Sequence, residues 1–359
     1  MNPSKTLDLT GKRILVTGGT GSLGQVLVKR LLGGQYGAPK KVIVLSRDEA
    51  KQHEMRLSYM NRQVSTDEVI YRNFEQALEF RIGDVRSYSD VASALGDSEI
   101  VFNAAALKQV PVCEYFPEQA VLTNCLGVNN IVRAISQSSW PVETVVGIST
   151  DKACKPVNVM GMSKAVAERI FTAANVLNTR TRFVCVRYGN VLASRGSVIP
   201  LFHQQISRGG PVTVTADTMT RFLMTLEQAV DTVLEAVAHA APGEVVIPQA
   251  PSAHVIDIAR ALIEDRPIEI RITAVRPGEK EHEILVSEEE CRHTFRRGDY
   301  YVIAPMLPEL RKADATADKP LSREYSSADA PGDFTTTVAL LRANNLMVGA
   351  DPRTSELLR

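Results

Sequence analysis

Ile14-Leu15-Val16-Thr17 passes without an intervening loop into Gly18-Gly19-Thr20-Gly21-Ser22-Leu23-Gly24, and Gln25 to Leu32 then has helical spacing. Strand, glycine turn and helix in that order leave few folds open. Glycines at 18, 21 and 24 permit a tight turn, close approach of backbone to a ligand and close packing of helix on strand. The helix N-terminus adds free N–H groups and a positive dipole end, which suits the pyrophosphate of a dinucleotide. An ordinary tight turn is the bland alternative.

Further apolar runs bounded by turn residues recur at Val42 to Leu45, Phe80 to Ile82, Ile100 to Asn103, Val142 to Ile148 and Phe183 to Val186, with helical spacing between most of them. Continuous rather than alternating apolar strands imply burial on both faces, hence an α/β fold with a doubly wound parallel sheet of Rossmann type. The sequence predicts a dinucleotide-binding domain over residues 1–190, with 226–240 returning to it as a helix. Residues 191–225 and 241–300, rich in Gly, Pro and Arg, read as a smaller interleaved substrate-binding lobe at the sheet's carboxyl edge. Residues 301–359 read as a partly irregular tail, with Lys312 to Asp318 and Ser326 to Asp333 the least structured.

The 359 residues carry 41 Lys plus Arg and 41 Asp plus Glu, so no net field invites nucleic acid or anionic lipid. Any bound anion must be held locally. Five scattered cysteines, Cys113, Cys125, Cys154, Cys185 and Cys291, form no metal-like pairing and read as reduced thiols. The N-terminus lacks an apolar signal region, and Leu226 to Ile247 is too interrupted by charge and Pro242 to span a membrane. A cytoplasmic protein without membrane contact is expected.

The second strand ends Leu45-Ser46-Arg47 with no acid at its tip; Ser46 and Arg47 can hold a 2'-phosphate, so NADP is favoured over NAD. Asp84 and Val85 follow the third strand, where a carboxylate can take the adenine amino group. Ala104 and Ala105, after the fourth, let backbone pass under the cofactor.

Seven segments together resemble the bacterial UDP-N-acetylglucosamine 4,6-dehydratases of surface polysaccharide synthesis, in the extended short-chain dehydrogenase/reductase superfamily. They are Gly18 to Gly24, Ser46 to Glu49, Ala105 to Pro111, Ser149 to Ala153, Arg187 to Val191, Met219 to Phe222 and Arg276 to Lys280. The resemblance spans roughly residues 10–290 and implies hydride abstraction from sugar carbon 4, loss of water across carbons 5 and 6, and hydride return to carbon 6. Oxidation at carbon 4 acidifies the carbon 5 proton and lowers the barrier to elimination.

By matched position, the resemblance implies that Thr150 orients the 4-oxygen, Lys152 removes the carbon 5 proton, Asp151 protonates the departing 6-hydroxyl and Lys164 binds the nicotinamide ribose. Met160 stands where the superfamily carries a tyrosine, and a thioether carries no proton at physiological pH. Acid and base must then come from neighbours, Asp151 and Lys152 being the candidates, with the base for carbon 4 oxidation left unassigned; an amine base needs its pKa lowered from about 10.4 by burial and positive neighbours. The cofactor set comprises Thr17, Gly18, Thr20, Gly21, Ser22, Leu23, Gly24, Ser46, Arg47, Asp84, Val85, Ala104, Ala105, Lys108, Lys164, Tyr188 and Asn190.

Arg276 offers a guanidinium to a diphosphate and Glu279 a carboxylate to ribose hydroxyls. Asn190 and Arg221 add to the phosphate site, Lys108, Val110 and Pro111 line the sugar pocket, and Ser194 to Pro200, with Val198, wraps the base. His282 reads as structural, and no metal site is expected. A UDP-sugar 4-epimerase and a non-catalytic NADP-sensing module are the competing readings. Residues Ala120 to Ile135 form a candidate surface for a dimer or larger homo-oligomer.

Overall fold

The computed structural model describes residues 7–60, 76–192, 197–275, 277–311 and 320–349. Strands β1 (Arg13–Thr17), β2 (Lys41–Ser46), β3 (Leu78–Ile82), β4 (Ile100–Asn103), β5 (Thr144–Ile148) and β6 (Arg182–Val186) pair in parallel in the order β3-β2-β1-β4-β5-β6. This is the doubly wound sheet that the continuous apolar runs predict. Successive strand residues face opposite sides, so a run apolar throughout must be covered twice. Ile14, Val16, Val42 and Val44 enter one core with Leu27, Leu31, Val230 and Val233. Leu15, Ile43 and Leu45 enter the other with Ile131, Ala134 and Phe171. Each fully buried aliphatic side chain contributes roughly 1.5–3 kcal/mol.

The helix Leu226–His239 packs Val230 and Val233 into the core beneath β1 and β2. Its start is fixed by a capping box: Thr225 Oγ1 accepts from the Gln228 amide at 3.1 Å, and Gln228 Oε1 accepts from the Thr225 amide at 2.9 Å. The sheet does not end at β6. Val245–Pro248 pairs with it in parallel, and the antiparallel strands Tyr300–Ile303 and Thr294–Arg297 follow, giving nine strands. Residues 241–300 are therefore divided between sheet and lobe, a correction to the boundary read from sequence. The lobe has its own core, including Phe202, Val212, Leu223 and Leu262.

The tail is also more ordered than its composition suggests. Tyr325–Ser326 pairs with Ile284–Val286, Pro331–Gly332 pairs with Ser252–His254, and Phe334–Ala343 is a helix whose Leu341 is buried in the lobe core. Tyr325 supplies the anchor: its ring meets Phe222 and Tyr301, and its hydroxyl both accepts from and donates to Ala250 backbone. Ser326 to Asp333 is thus folded; Lys312 to Asp318 lies outside the described residues.

One buried cation joins these parts. The Arg187 guanidinium places all five donors: on Glu168 at 3.1 and 2.7 Å, on Glu290 at 2.8 and 2.9 Å and on the Leu285 carbonyl at 2.9 Å. Arg187→Ala strands two buried carboxylates without a counter-ion, a loss on the order of 3–5 kcal/mol. Chemical denaturation monitored by circular dichroism is expected to show it as a lower midpoint, whereas a midpoint within error of the parent would exclude it.

Candidate active site

The strand order reverses direction of growth at β1 and β4, and ligands of such sheets bind outside the carboxyl ends of the strands at that point. A cleft of about 760 Å³ opens there. Gly18, with φ of +67°, lets the turn pass over Ala105: a β-carbon at position 18 would lie 2.7 Å from the Ala105 nitrogen. Thr20, Gly21, Ser22, Leu23, Gly24, Ser46, Arg47, Asp84, Val85, Ala104 and Ala105 all line the cleft, as do Lys108, Val110, Lys164, Tyr188 and Asn190.

Thr17 does not; its hydroxyl is fully buried and donates to Asn103 Oδ1 at 2.7 Å, tying β1 to β4 beneath the turn. Ser46 Oγ lies 2.9 Å from Thr20 Oγ1. Arg47, half exposed, reaches Asp84 at 3.5 Å, while Arg86 holds that carboxylate at 2.6 Å. Against the opposing effect of burial, these guanidinium contacts leave Asp84 below the usual carboxylate range. Lys51, paired with Asp48 at 2.6 Å, also lines the cleft and went unnoticed in sequence, where it is one more charge on a helix.

β5 delivers Ser149 and Thr150 to the cleft, and the chain then turns through a single 3-10 turn, Asp151–Ala153. The helix Val159–Leu177 begins directly against that turn, capped by Asn158, whose Oδ1 accepts from the Gly161 amide at 2.8 Å. Position 161 tolerates only hydrogen, because a β-carbon would sit 2.1 Å from the Lys152 carbonyl oxygen. This approach sets Met160 and Lys164 beside Asp151 and Lys152 along one wall. Met160 packs on Cys113 and Ala120. Lys164 donates to the Ile148 carbonyl, and burial lowers its pKa.

Asp151 is fully buried; its Oδ1 accepts from Thr150 Oγ1 at 2.9 Å and from Lys152 Nζ at 3.1 Å. Burial, reinforced by the nearby Glu283 carboxylate, raises its pKa. Lys152 reverses the expectation of a lowered pKa. Burial does push it down, but the Asp151 and Glu283 carboxylates push harder the other way and hold the ammonium. Glu283, 3.1 Å from Lys152 Nζ, is the residue that sequence reasoning missed.

Three substrate assignments change. Arg221 is buried, and its guanidinium donates to the carbonyls of Thr220, Lys280 and Glu281 at 2.7 to 3.0 Å; it holds a loop and is not presented to the cleft. Val198 opens the helix Val198–Ser207 and packs against the lobe core. Glu279 stands outside the cleft wall, 3.7 Å from Arg221, with a buried Oε2 that has no partner among the described residues. Arg276 and Ala193 to Gly196 lie outside the described residues. His282 Nδ1 lies 2.8 Å from Thr220 Oγ1.

The family described as polysaccharide biosynthesis protein matches residues 14–305. The chain belongs to that family. Proteins named UDP-glucose 4-epimerase from Rickettsia conorii and Rickettsia prowazekii are 42% and 41% identical over 297 residues, 81% of this chain and 82% of theirs. The X-ray structure of Pen from Bacillus thuringiensis superposes with a TM-score of 0.83 at 33% identity, covering 94% of this chain and 99% of that one. The dTDP-glucose 4,6-dehydratase of Streptomyces venezuelae, solved with NAD and TYD bound, gives 0.62 at 20% identity over 75% of this chain and 86% of its own. At that identity it shares the fold alone.

Proposed function

We propose that this protein is a nucleotide-sugar 4,6-dehydratase that takes UDP-N-acetylglucosamine to a UDP-4-keto-6-deoxy-N-acetylhexosamine. The observation that carries this reading is the Asp151–Lys152–Glu283 cluster beside the cleft, with Met160 in the place of the superfamily's tyrosine. Epimerisation needs one group to handle the 4-hydroxyl proton. Dehydration needs in addition an acid for the leaving 6-hydroxyl and a base for the carbon 5 proton; a buried carboxyl that keeps its proton is such an acid, and the carboxylate left when it gives that proton up is such a base.

The cradle over Gly18, the helix N-terminus and the small residues Ala104 and Ala105 fit a dinucleotide, and the absence of an acid at the tip of β2, with Ser46, Arg47 and Lys51 there, favours NADP. When bound, the nicotinamide supplies the hydride acceptor at carbon 4 and the donor at carbon 6. In this reading Lys164 holds its ribose, Thr150 orients the 4-oxygen, and Asp151 protonates the 6-hydroxyl as the carbon–oxygen bond breaks. Lys152, across 3.1 Å from Asp151, joins these groups in one proton-sharing network.

The relatives named UDP-glucose 4-epimerase support a second reading, epimerisation at carbon 4. Proton NMR of UDP-N-acetylglucosamine incubated with the protein in deuterated water separates the two. A carbon 6 methyl signal with deuterium at carbon 5 is expected; appearance of the galacto isomer alone would replace dehydration by epimerisation.

Asp151→Asn is expected to slow methyl formation by at least about a hundredfold. The raised pKa also sets a sign: stability linked to the Asp151 proton is present below the ordinary carboxylate pKa and is lost as pH rises through the folded one. Asp151→Asn should therefore melt no lower than the parent at neutral pH; a markedly lower melting temperature there would contradict the protonated state.

Arg47→Ala should weaken NADP binding roughly ten- to a hundredfold by titration calorimetry and leave NAD nearly unchanged, as loss of a charge-assisted contact implies. Equal effects on both would remove Arg47 from the 2'-phosphate site.

Of the Ala120 to Ile135 surface read from sequence, Ala120, Val128, Ile131, Ala134 and Ile135 are buried, so a homo-oligomer contact on it falls to the exposed Val121, Leu122 and Leu126. Val121→Glu should shift the mass seen by light scattering from dimer or larger to monomer, and an unchanged mass would place the interface elsewhere.

A further inference from the structure

Glu283 is the charged group of the site without a role in the scheme above. It immediately precedes the strand Ile284–Val286, and only 3% of its side chain is exposed. The C-terminal segment fixes its backbone: its amide donates to Ser327 Oγ at 2.9 Å, and the Ser327 amide donates to its carbonyl at 2.8 Å. Its Oε1 stands 3.1 Å from Lys152 Nζ and 3.8 Å from Arg221 Nε. The Lys152 ammonium is thus shared between two carboxylates, each at 3.1 Å. The other oxygens, Asp151 Oδ2 and Glu283 Oε2, are buried and have no hydrogen-bond partner among the described residues.

Two carboxylates competing for one ammonium at close range do not both ionise cheaply out of water, and the usual outcome is that one keeps a proton. The surroundings decide which. Glu283 faces Lys152 from the 3-10 turn and Arg221 from the strand Thr220–Met224, with Lys280 a further nearby cation on its own segment. Asp151 faces the same Lys152 and Lys280, the Thr150 hydroxyl and the Glu283 carboxylate, without the arginine that Glu283 has. Glu283 has the richer cationic setting and stays ionised. Asp151 is left with the proton.

We propose that Glu283 is a positioning residue that keeps Asp151 in its neutral acid form by acting as the resident counter-ion of Lys152. The inference rests on the dehydratase reading, in which Asp151 gives its proton to the 6-hydroxyl, the carbon–oxygen bond breaks and water departs. The protons balance: hydride passes from carbon 4 to the nicotinamide and back to carbon 6, the 4-hydroxyl proton leaves past Thr150 to water in the open cleft, Asp151 gives its proton to the departing 6-hydroxyl, the carboxylate so formed takes the carbon 5 proton and returns one to that carbon, and water restores the acid. With Glu283 neutralised, Asp151 would become the counter-ion of Lys152 and lose its proton.

Infrared spectroscopy of the full chain at neutral pH reads that proton directly and needs no substrate. A protonated-carboxyl band is expected that shifts when aspartate carries carbon-13 and does not shift when glutamate does. The band should vanish in Glu283→Gln, which preserves shape, and persist in Glu283→Asp, which preserves charge. Its absence from the parent protein, or its assignment to glutamate, would overturn the proposal whether or not the variants fold. Its persistence in a folded Glu283→Gln would do the same. If UDP-N-acetylglucosamine proves a substrate, Glu283→Gln should also slow methyl formation about a hundredfold at neutral pH and recover towards acid pH, with less change in KM than in kcat. A pH–rate profile superposable on the parent's would reduce Glu283 to a structural ion. Failure of the substrate with the infrared band intact would count against the dehydratase reading and leave the charge assignment standing.

Discussion

The site is held in place by a buried cation that takes no part in its chemistry. Arg187, at the end of β6, carries a charge whose burial is tolerable only because five hydrogen bonds and two carboxylates surround it. Glu168 belongs to the helix that bears Met160 and Lys164, and it also accepts from the Ser149 hydroxyl, one residue before Thr150. Glu290 and the Leu285 carbonyl belong to the segment that carries Glu283. The guanidinium thus ties the catalytic turn to the returning C-terminal third of the molecule. Two groups more than a hundred residues apart in sequence, Lys152 and Glu283, meet because Arg187 holds both of their supports.

The sequence displays the half of this arrangement that depends on local order. Strands β1 to β6 are legible because burial on both faces leaves only apolar residues, and the glycine turn is legible because strand, turn and helix must follow in sequence. Thr294–Arg297, at the sheet edge, and Tyr300–Ile303 beside it are less so: these antiparallel strands mix Thr, Arg and Tyr with apolar residues. The tail pairs through two-residue strands that carry no periodicity at all. Among charged residues the same limit applies more sharply. Arg221 reads from its motif as a phosphate ligand, yet three carbonyls satisfy its donors, and nothing in a one-dimensional pattern distinguishes these uses of an arginine.

Lys152 is the instructive reversal. Burial alone would have lowered its pKa and left it a neutral amine free to act as a base, which is how an isolated lysine in a low-dielectric site behaves. Two carboxylates change the sign, so the ammonium is the form that the folded protein favours. Lysine keeps the proton that burial would have removed, and Asp151 is pushed towards holding one of its own. A charge cluster has to be read as a whole, since each group's protonation is decided by the others.

That conclusion recasts the substitution at position 160. A tyrosine there would be one titratable group beside the sugar, serving as base and acid in turn. Met160 instead closes the wall with an apolar, proton-free side chain packed on Cys113 and Ala120. Removing a hydroxyl from the wall lowers the polarity around Asp151 and Lys152, which strengthens the coupling between the charges that remain. The loss of the tyrosine and the presence of a three-membered charge cluster are then two sides of one design: proton handling moves from a single phenol to groups buried behind the wall, where a neutral carboxylic acid persists at the pH at which a solvent-exposed one would have ionised.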